Sequence, residues 1–395
     1  MGQTALHRIA GESQLKRSWK KINSKSRGPK RQVSGIDGKT VNEFSLHADK
    51  YIWKIRRDLL TRRYIFSDLL AFSIPKSSGG HRIINIPTVD DRIVQTAILE
   101  LLSEKYIFKS QSNYGFLRKK TVSMAVKNFV RLRCDFPYVV KVDLQAFFDS
   151  IPRIDLRKKV EKQVKYTSIR SLIFSLIDCE SNFRSQADLR HAKKQGLKPG
   201  VGVRQGMPLS PFLANLYLDQ FDVFIEKKGY KLIRYADDFV ILCKTQKEAD
   251  AAKADAISCL TKIGLTVNFN KTSISGPNET VEFLGIDCVK NKNKDYSLEV
   301  SDSKVRRLVA SISAFQDVKY CLKNGVRLIG LERRIDLVIS GYLQAYQLCA
   351  NIQSIKDKLY AEKNKAIAQI FVRIFGIKLD SLTVEQRTFL GLDPG

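Results

Sequence analysis

Acidic residues are scarce in this 395-residue chain: 40 Asp and Glu stand against 68 Lys and Arg, a formal net charge of +28. An imbalance of that size calls for a polyanionic partner, nucleic acid before an anionic membrane surface. Long apolar runs are absent: none reaches the roughly 18 residues that a spanning helix needs, so no membrane partner is expected. The N-terminus lacks a secretory apolar region, and "MGQTAL" has Leu6 where a myristoylation site needs Ser or Thr, so cytoplasmic residence is the expectation. Histidine is nearly missing, and its four positions (7, 47, 81, 191) lie far apart, which argues against a Cys/His zinc module. The seven cysteines contain no CxxC pair and read as buried thiols in a reducing compartment. No internal repeat or long low-complexity linker appears. What is present is 44% apolar residues, ample for two or three packed subdomains.

Residues 1–35 carry nine Lys/Arg and one acid, Glu12, and read as a basic extension able to grip phosphates. "SGIDGKT" (34–40) is a turn cluster that ends it. Residues 42–70 look helical. "FSIPKSSGGHRIINIP" (72–87) alternates on each side of a Gly-Gly turn, as a hairpin does, and a helix follows over about 89–106. "YVVKVDL" is a short apolar strand ending at Asp143. "SPFLANLYLDQFDVFIEKKGY" puts Leu213, Leu216, Tyr217, Phe221, Phe224 and Ile225 on one helical stripe, with Gly229 as the stop. "KLIRYADDFVIL" is two apolar arms around Ala-Asp-Asp. Thr245 and Glu248 form a capping box for a helix with an alanine face, closed by Gly264. "LTVNF" (265–269) alternates as a strand, and the chain beyond 302 is helical and basic after a short strand near 296–300. The middle third is a mostly antiparallel sheet with helices on one face, an α+β pattern.

A strand core normally avoids Asp, and adjacent like charges repel, yet "RYADDFV" places Asp237 and Asp238 between apolar arms. Taken alone, this is a solvated turn. With Asp143 at another strand end, three carboxylates converge in a strongly basic chain. Their repulsion is relieved by a divalent cation: Mg2+ takes hard oxygen ligands, commonly one or two carboxylates plus substrate phosphates. Two such ions, with Mn2+ a possible substitute, clamp the attacking and leaving oxygens of a phosphoryl transfer.

Around these acids, "RQGMPLSPFLAN" (204–215) is a Gly/Pro loop entering a helix: either a connector, or a platform where Gly206 lets backbone approach a nucleotide and Gln205 contacts it. Lys76 and Arg82, on opposite arms of the first hairpin, are solvated cations or a triphosphate grip. Phe148 is a core aromatic, or a wall against a ribose 2'-OH. Lys271 is a surface lysine, or a general acid for the leaving pyrophosphate.

Taken together, these motifs resemble the reverse transcriptases of the bacterial group II intron-like kind, over roughly residues 34–300. "SGIDGKT" resembles the opening block, "IPKSSGGHRIINIPTVDDRIVQTAILELL" the fingers, "KVDLQAFFDSI" the first catalytic motif and "RQGMPLSPFLANLYLDQFD" the Gln-Gly motif. "RYADDFVIL" resembles the double-aspartate motif, "GLTVNFNKT" the lysine motif and "VEFLGI" the primer grip. The resemblance implies a right-hand polymerase fold with fingers, an RRM-like antiparallel palm and a helical thumb. Its expected divisions are a basic extension 1–40, fingers 41–135 with part of 150–200 as a candidate addition, palm 136–290 and thumb with tail 291–395. It implies Asp143, Asp237 and Asp238 as metal ligands, Phe148 as steric gate, Gln205 as nucleotide contact, Lys76 and Arg82 facing the triphosphate, and Phe283-Leu284-Gly285 meeting the primer end. It also implies dNTPs, a structured RNA template and a nascent cDNA.

There are departures. "YGFLRKKTVSMA" has Leu-Arg-Lys-Lys where intron enzymes usually turn through Arg-Pro-Gly, and Arg204 and Met207 replace the Pro and second Gly of the intron Gln motif. About 95 residues follow the palm, fitting a thumb, and they hold no His for an HNH nuclease. A stand-alone phage-defence enzyme is therefore the expectation by family analogy, beside retron-linked and CRISPR-linked forms, protein-primed untemplated synthesis and a non-catalytic RNA-binding module. An RNA-dependent RNA polymerase would share the palm, but Phe148 and Ala-Asp-Asp speak for DNA synthesis.

Overall fold

The computed structural model describes residues 4–75, 80–106, 108–291 and 295–390. Among them run strands β1 (Leu69–Pro75), β2 (His81–Ile86), β3 (Tyr138–Val142), β4 (Ser181–Phe183), β5 (Lys231–Tyr235), β6 (Asp238–Cys243), β7 (Ser273–Ser275), β8 (Val281–Phe283), β9 (Ile286–Lys290) and β10 (Tyr296–Glu299). They form three small sheets, ordered β2-β1-β4, β5-β6-β3-β7 and β10-β9-β8. The class is α+β, as the sequence pattern indicates. The chain divides into two compact units: up to Thr121 with Val140–Ile274, and Val122–Val139 with the residues from Ser275 onward. Among the described residues no helix is long and apolar enough to cross a membrane.

In the first unit, β5 and β6 are an antiparallel hairpin whose arms bury Leu232, Ile233, Phe239, Val240, Ile241 and Leu242. Helix Ser210–Lys227 packs against β5. It begins with a proline in its first turn, where the missing N–H costs nothing, and Gly229 at φ 88° ends it. Helix Gln246–Lys262 packs on β6. Thr245 Oγ1 accepts from Glu248 N at 3.2 Å to cap it, and buried Ala249, Ala252 and Ala256 allow close approach to the sheet. The β1–β2 hairpin forms as the alternation indicates, while β4 joins β1 in parallel.

Three sequence expectations change. The basic N-terminal segment is not a loose extension. It folds into helices Ala5–Ile9 and Glu12–Lys25; Leu6 and Ile9, three apart on one face of the first, are buried, as is Leu15 on the second, and the second helix packs on helix Val89–Lys105. The helix expected over 42–70 is two helices, Val41–Leu46 and Ala48–Leu60, and the chain leaves helical geometry at Arg62, φ 58°. Residues 265–269 do not form a strand. They touch β3's exit through one isolated Leu144–Val267 bridge and turn into a 3-10 helix, Phe269–Lys271. Asn268 is the reason, since its carbonyl accepts from both Lys271 N and Thr272 Oγ1 and so closes a turn.

In the second unit, helix Val122–Asp135 packs against β10. Phe129 meets Phe283 with ring centroids 5.3 Å apart. Arg133, fully buried, donates to Cys288 O at 2.8 Å and lies over the Tyr296 ring. Helices Asp302–Ser313, Leu331–Ala345 and Ile352–Phe375 pack together behind this sheet's exit, with Lys363 bridging Glu332 and Asp336 at 2.7 and 2.8 Å.

Candidate active site

In the β5–β6 hairpin, Tyr235 pairs with Asp238, leaving Ala236 and Asp237 as a two-residue turn. Ala236 sits at φ 60°, a left-handed conformation that a non-glycine residue adopts at a cost. Arg234 holds it there. That side chain is 1% exposed and donates from Nε and Nη2 to the fully buried Asp222 carboxylate, at 2.7 and 2.5 Å. Its Nη1 donates to Ala236 O at 2.9 Å and to Asn215 Oδ1 at 3.0 Å. Burial pushes the Asp222 carboxyl up, and the charge of Arg234 opposes that.

Residues 112–115 complete the frame. Arg234 N donates to Ser112 O and Tyr114 N to Arg234 O, adding a short edge to β5. Asn215 Nδ2 donates to Gly115 O at 2.8 Å. A Cβ on Gly115 would overlap the Ala236 backbone, so only glycine fits beneath the turn. Sequence reading missed Arg234, Asp222, Asn215 and Gly115. The available signal was polar: an Arg inside an apolar strand, with Asn215 and Asp222 inside the apolar stripe of helix Ser210–Lys227.

Strand β3, next to β6 in the sheet, delivers Asp143. Asn268 N donates to Asp143 O at 2.8 Å and Asn268 Nδ2 to Asp143 Oδ2 at 3.0 Å. Asp237 is exposed as a residue, but partial desolvation by the surrounding turn raises its carboxyl above its ordinary value and the charge of Asp143 raises it further, while Arg82 and Arg234 pull it down. Asp143, Asp237 and Arg82 therefore share one electrostatic neighbourhood. Asp238 is half-buried, its Oδ1 3.8 Å from Lys141 Nζ. Among the described residues no three Asp, Glu, His or Cys side chains make a closed metal cage. A hard-oxygen set with two mutually repelling carboxylates nonetheless fits a divalent cation that takes its other ligands from water and substrate phosphate.

The remaining expected residues fall as follows. Arg82 is exposed on β2, and Lys76 lies outside the described residues. Gln205 O accepts from Asn85 N at 2.9 Å and Asn85 Nδ2 at 3.1 Å, docking the Gln-Gly loop on β2. Gly206, at φ 109°, lies so close to Asn85 O that any side chain would collide. Phe148 is half-buried beside Phe147, and its carbonyl accepts from Val203 N at 2.7 Å, tying the same loop to the segment after Asp143. Beneath that loop, Glu180 accepts from Arg153 Nη1 at 2.7 Å and Gly200 N at 2.8 Å, and from Arg204. Burial pushes its carboxyl up, but Gly200 N–H and Arg204 outweigh this and hold it below the ordinary range. Lys271 is exposed, three residues past Asn268. Phe283, Leu284 and Gly285 belong to the second unit and turn β8 into β9.

Residues 74–288 match the family model described as reverse transcriptase (RNA-dependent DNA polymerase). That span exceeds half of the chain, and the chain belongs to this family. It is 26% identical over 329 residues to Protein YkfC of Escherichia coli (strain K12), covering 71% of this chain and 83% of the relative. It is 27% identical over 205 residues to the group II intron-encoded protein LtrA of Lactococcus lactis subsp. cremoris, 51% of this chain and 32% of that one. It is 26% identical over 220 residues to the retron Mx65 reverse transcriptase of Myxococcus xanthus, 52% of this chain and 47% of that one. The chain thus spans less than half the length of these last two. Among solved structures, a partial Cas6-RT-Cas1–Cas2 complex is similar at 25% identity and a TM-score of 0.38, covering 66% of this chain and 42% of that chain. The enzyme class is RNA-directed DNA polymerase, a bacterial reverse transcriptase of the group II-like kind.

Proposed function

We propose that this reverse transcriptase copies a dedicated structured RNA into cDNA by nucleotidyl transfer at Asp143, Asp237 and Asp238, as part of a bacterial antiphage system in the cytoplasm. The observation that carries the chemical half is the pair of carboxylates at the end of β3 and the tip of the β5–β6 turn. Asp143 is fixed by Asn268, and the Asp237 turn by Arg234. When bound there, two Mg2+ ions would supply charge neutralisation for the attacking 3'-oxygen and the leaving pyrophosphate; Mn2+ would serve the same donors. Asp143 and Asp237 would be the shared ligands, with Asp238 peripheral beside Lys141.

In this reading, Arg82 and Lys76 hold the dNTP triphosphate, and the Gln205–Gly206 backbone platform supports the nucleotide. Phe148 excludes a ribose 2'-OH. Lys271 donates a proton to the pyrophosphate, and Phe283-Leu284-Gly285 hold the primer end. The first unit is the fingers and palm, and the C-terminal helices the thumb. The charge of +28 suits the RNA template and nascent cDNA.

Primer extension on a primed RNA template, with dNTPs or NTPs supplied separately, tests the chemistry. dNTP incorporation that disappears in Asp237→Ala is expected; incorporation of NTPs alone would refute it. The defence role rests on family analogy. Sequencing the RNA and cDNA that copurify with the protein, and counting phage plaques with and without the gene, tests it. Protection that persists in Asp237→Ala would sever the role from synthesis.

A further inference from the structure

The first unit contains a cavity of about 840 Å3 that none of Asp143, Asp237, Asp238, Gln205 or Phe148 lines. Helix Arg153–Gln163 and the C-terminal half of helix Ser210–Lys227 form its long walls. The Gln205–Gly206 loop stands at the opposite, N-terminal end of that second helix. At 1.5 Å per residue, the cavity-lining positions 219–227 lie roughly 14–25 Å along the helix from its start. Lys109, Lys158, Lys159, Lys162, Lys165 and Lys227 face the cavity, against one acid, Asp219. Its size is that of pockets which enclose a small ligand.

The local acids only partly offset these lysines. Asp219 is buried and accepts from the backbone N–H groups of Lys109 and Ser110, at 3.4 and 3.2 Å. Neighbouring Glu226 accepts from Ser110 Oγ and Ser112 N at 2.7 and 3.1 Å. Both carboxylates are spent on holding the 109–112 backbone. Lys158 pairs with exposed Asp155 at 3.0 Å, while the other five lysines have no acid within 4.0 Å among the described residues. Helix dipoles account for Lys162 and Lys227, which stand in last turns. The same end stabilises Lys165, which follows the C-cap Val164, but dipoles do not account for Lys109 and Lys159.

Lys159 is the telling one. It is half-buried, 3.1 Å from Gln220 Oε1 and 5.1 Å from the Tyr217 ring centroid, and burial depresses its ammonium. Asp219 and Asp155 attract it from a distance without offsetting that burial, and a desolvated cation with no acid in direct contact costs free energy that a bound anion would return. Tyr106 and Tyr166 add aromatic wall to the same cavity, Tyr106 being fixed by its hydroxyl donating to Gln163 Oε1 at 2.5 Å.

We propose that this cavity is a phosphate-binding site separate from the nucleotide-addition site, taking a polyphosphate or phosphodiester group through Lys159, Lys162 and Lys165. The phosphate comes either from the backbone of a bound RNA or from a free phosphorylated small molecule. The inference does not rest on the polymerase reading, since its test reads binding rather than synthesis.

The test uses the full chain in EDTA, so that the carboxylate site recruits no metal-bound phosphate. Two probes are titrated: inorganic tripolyphosphate by calorimetry, and a fluorescent 20-nucleotide single-stranded RNA by anisotropy across a salt series. Lys162→Gln/Lys165→Gln removes two exposed lysines and should leave the melting temperature unchanged; Lys159→Gln is the second variant. If the source is a free phosphate compound, tripolyphosphate affinity falls at least tenfold in the double variant with the RNA salt slope unchanged. If it is RNA, RNA affinity falls and the slope of log K against log salt shrinks by about 1.4, roughly 0.7 for each lysine on a single strand. If neither probe's affinity moves in either variant, the proposal is overturned.

Discussion

Two tight turns in this protein solve the same steric problem by different means. Ala236-Asp237 joins β5 to β6, and Leu284-Gly285 joins β8 to β9; Ala236 and Leu284 are both non-glycine residues at positive φ, 60° and 52°. The first turn is braced from within by Arg234, buried against Asp222, Asn215 and Ala236 O. The second carries its permissive glycine at φ 76°, anchors buried Phe283 on Phe129, and takes one donor, Lys304 Nζ, on Gly285 O at 2.6 Å. A buried ion pair is weak evidence for stability, but removing one partner is severe. A single half-exposed lysine is replaceable. The carboxylate turn is therefore built to be immobile, and the other to be held lightly.

Substitutions at four positions and one pH experiment can break or sharpen that contrast. Asp237→Ala should lower primer extension by about 10^3-fold or more without unfolding the chain, since in the proposed reading several kcal/mol of transition-state stabilisation pass through its carboxylate; extension rates and a melting curve read both. Asp222→Ala leaves Arg234 charged and unpaired in the core and should cost about 3–5 kcal/mol in urea unfolding. Asp222→Asn, which keeps one acceptor, should recover part of this. A loss no greater than that of a surface substitution would show the brace to be dispensable.

Asp91 supplies a third case, a buried carboxyl with no cation paired to it among the described residues. Burial pushes it to about 6, against hydrogen bonds from Tyr64 Oη and Ser67 N. Its folded pKa exceeds the unfolded value near 3.9, so the folded state binds more protons in between. Stability should fall as pH rises from about 4 to about 6, by roughly 2–3 kcal/mol, and Asp91→Asn should flatten that slope in unfolding titrations. Gly115→Ala forces a methyl into the backbone of Ala236 and should cost about 1–3 kcal/mol together with extension rate. Lys304→Met removes one hydrogen bond from the lightly held turn. It should cost only about 0.5–1.5 kcal/mol, and in the proposed primer-grip reading it should raise the KM for primer while leaving kcat nearly unchanged.

Much of the site was legible because its residues break local rules. Asp237-Asp238 in an apolar run, Gly206 beside Gln205 and Asp143 at a strand end are all conspicuous without a structure. The hairpins and the Thr245-capped helix were legible because period-2 alternation and capping residues act over a few positions. The 265–269 segment was misread because alternation favours a strand, whereas the Asn268 turn needs Asp143 as a partner 125 residues away. The N-terminal helices were overlooked because nine cations obscure three well-spaced apolar residues.

The sequence by itself determined the family and the candidate chemistry: a basic chain, three carboxylates at strand ends and the ordered motifs of the reverse transcriptase family. Those features depend on residue type and short spacing, which the chain carries locally. Tertiary structure alone decided what holds them, from Arg234 against Asp222 and Asn215 to Gly115 under the turn and Asn85 under Gln205. It also decided which lysines face a cavity and which face only water. Such relations depend on distance and burial between residues far apart in the chain, and no local pattern encodes either.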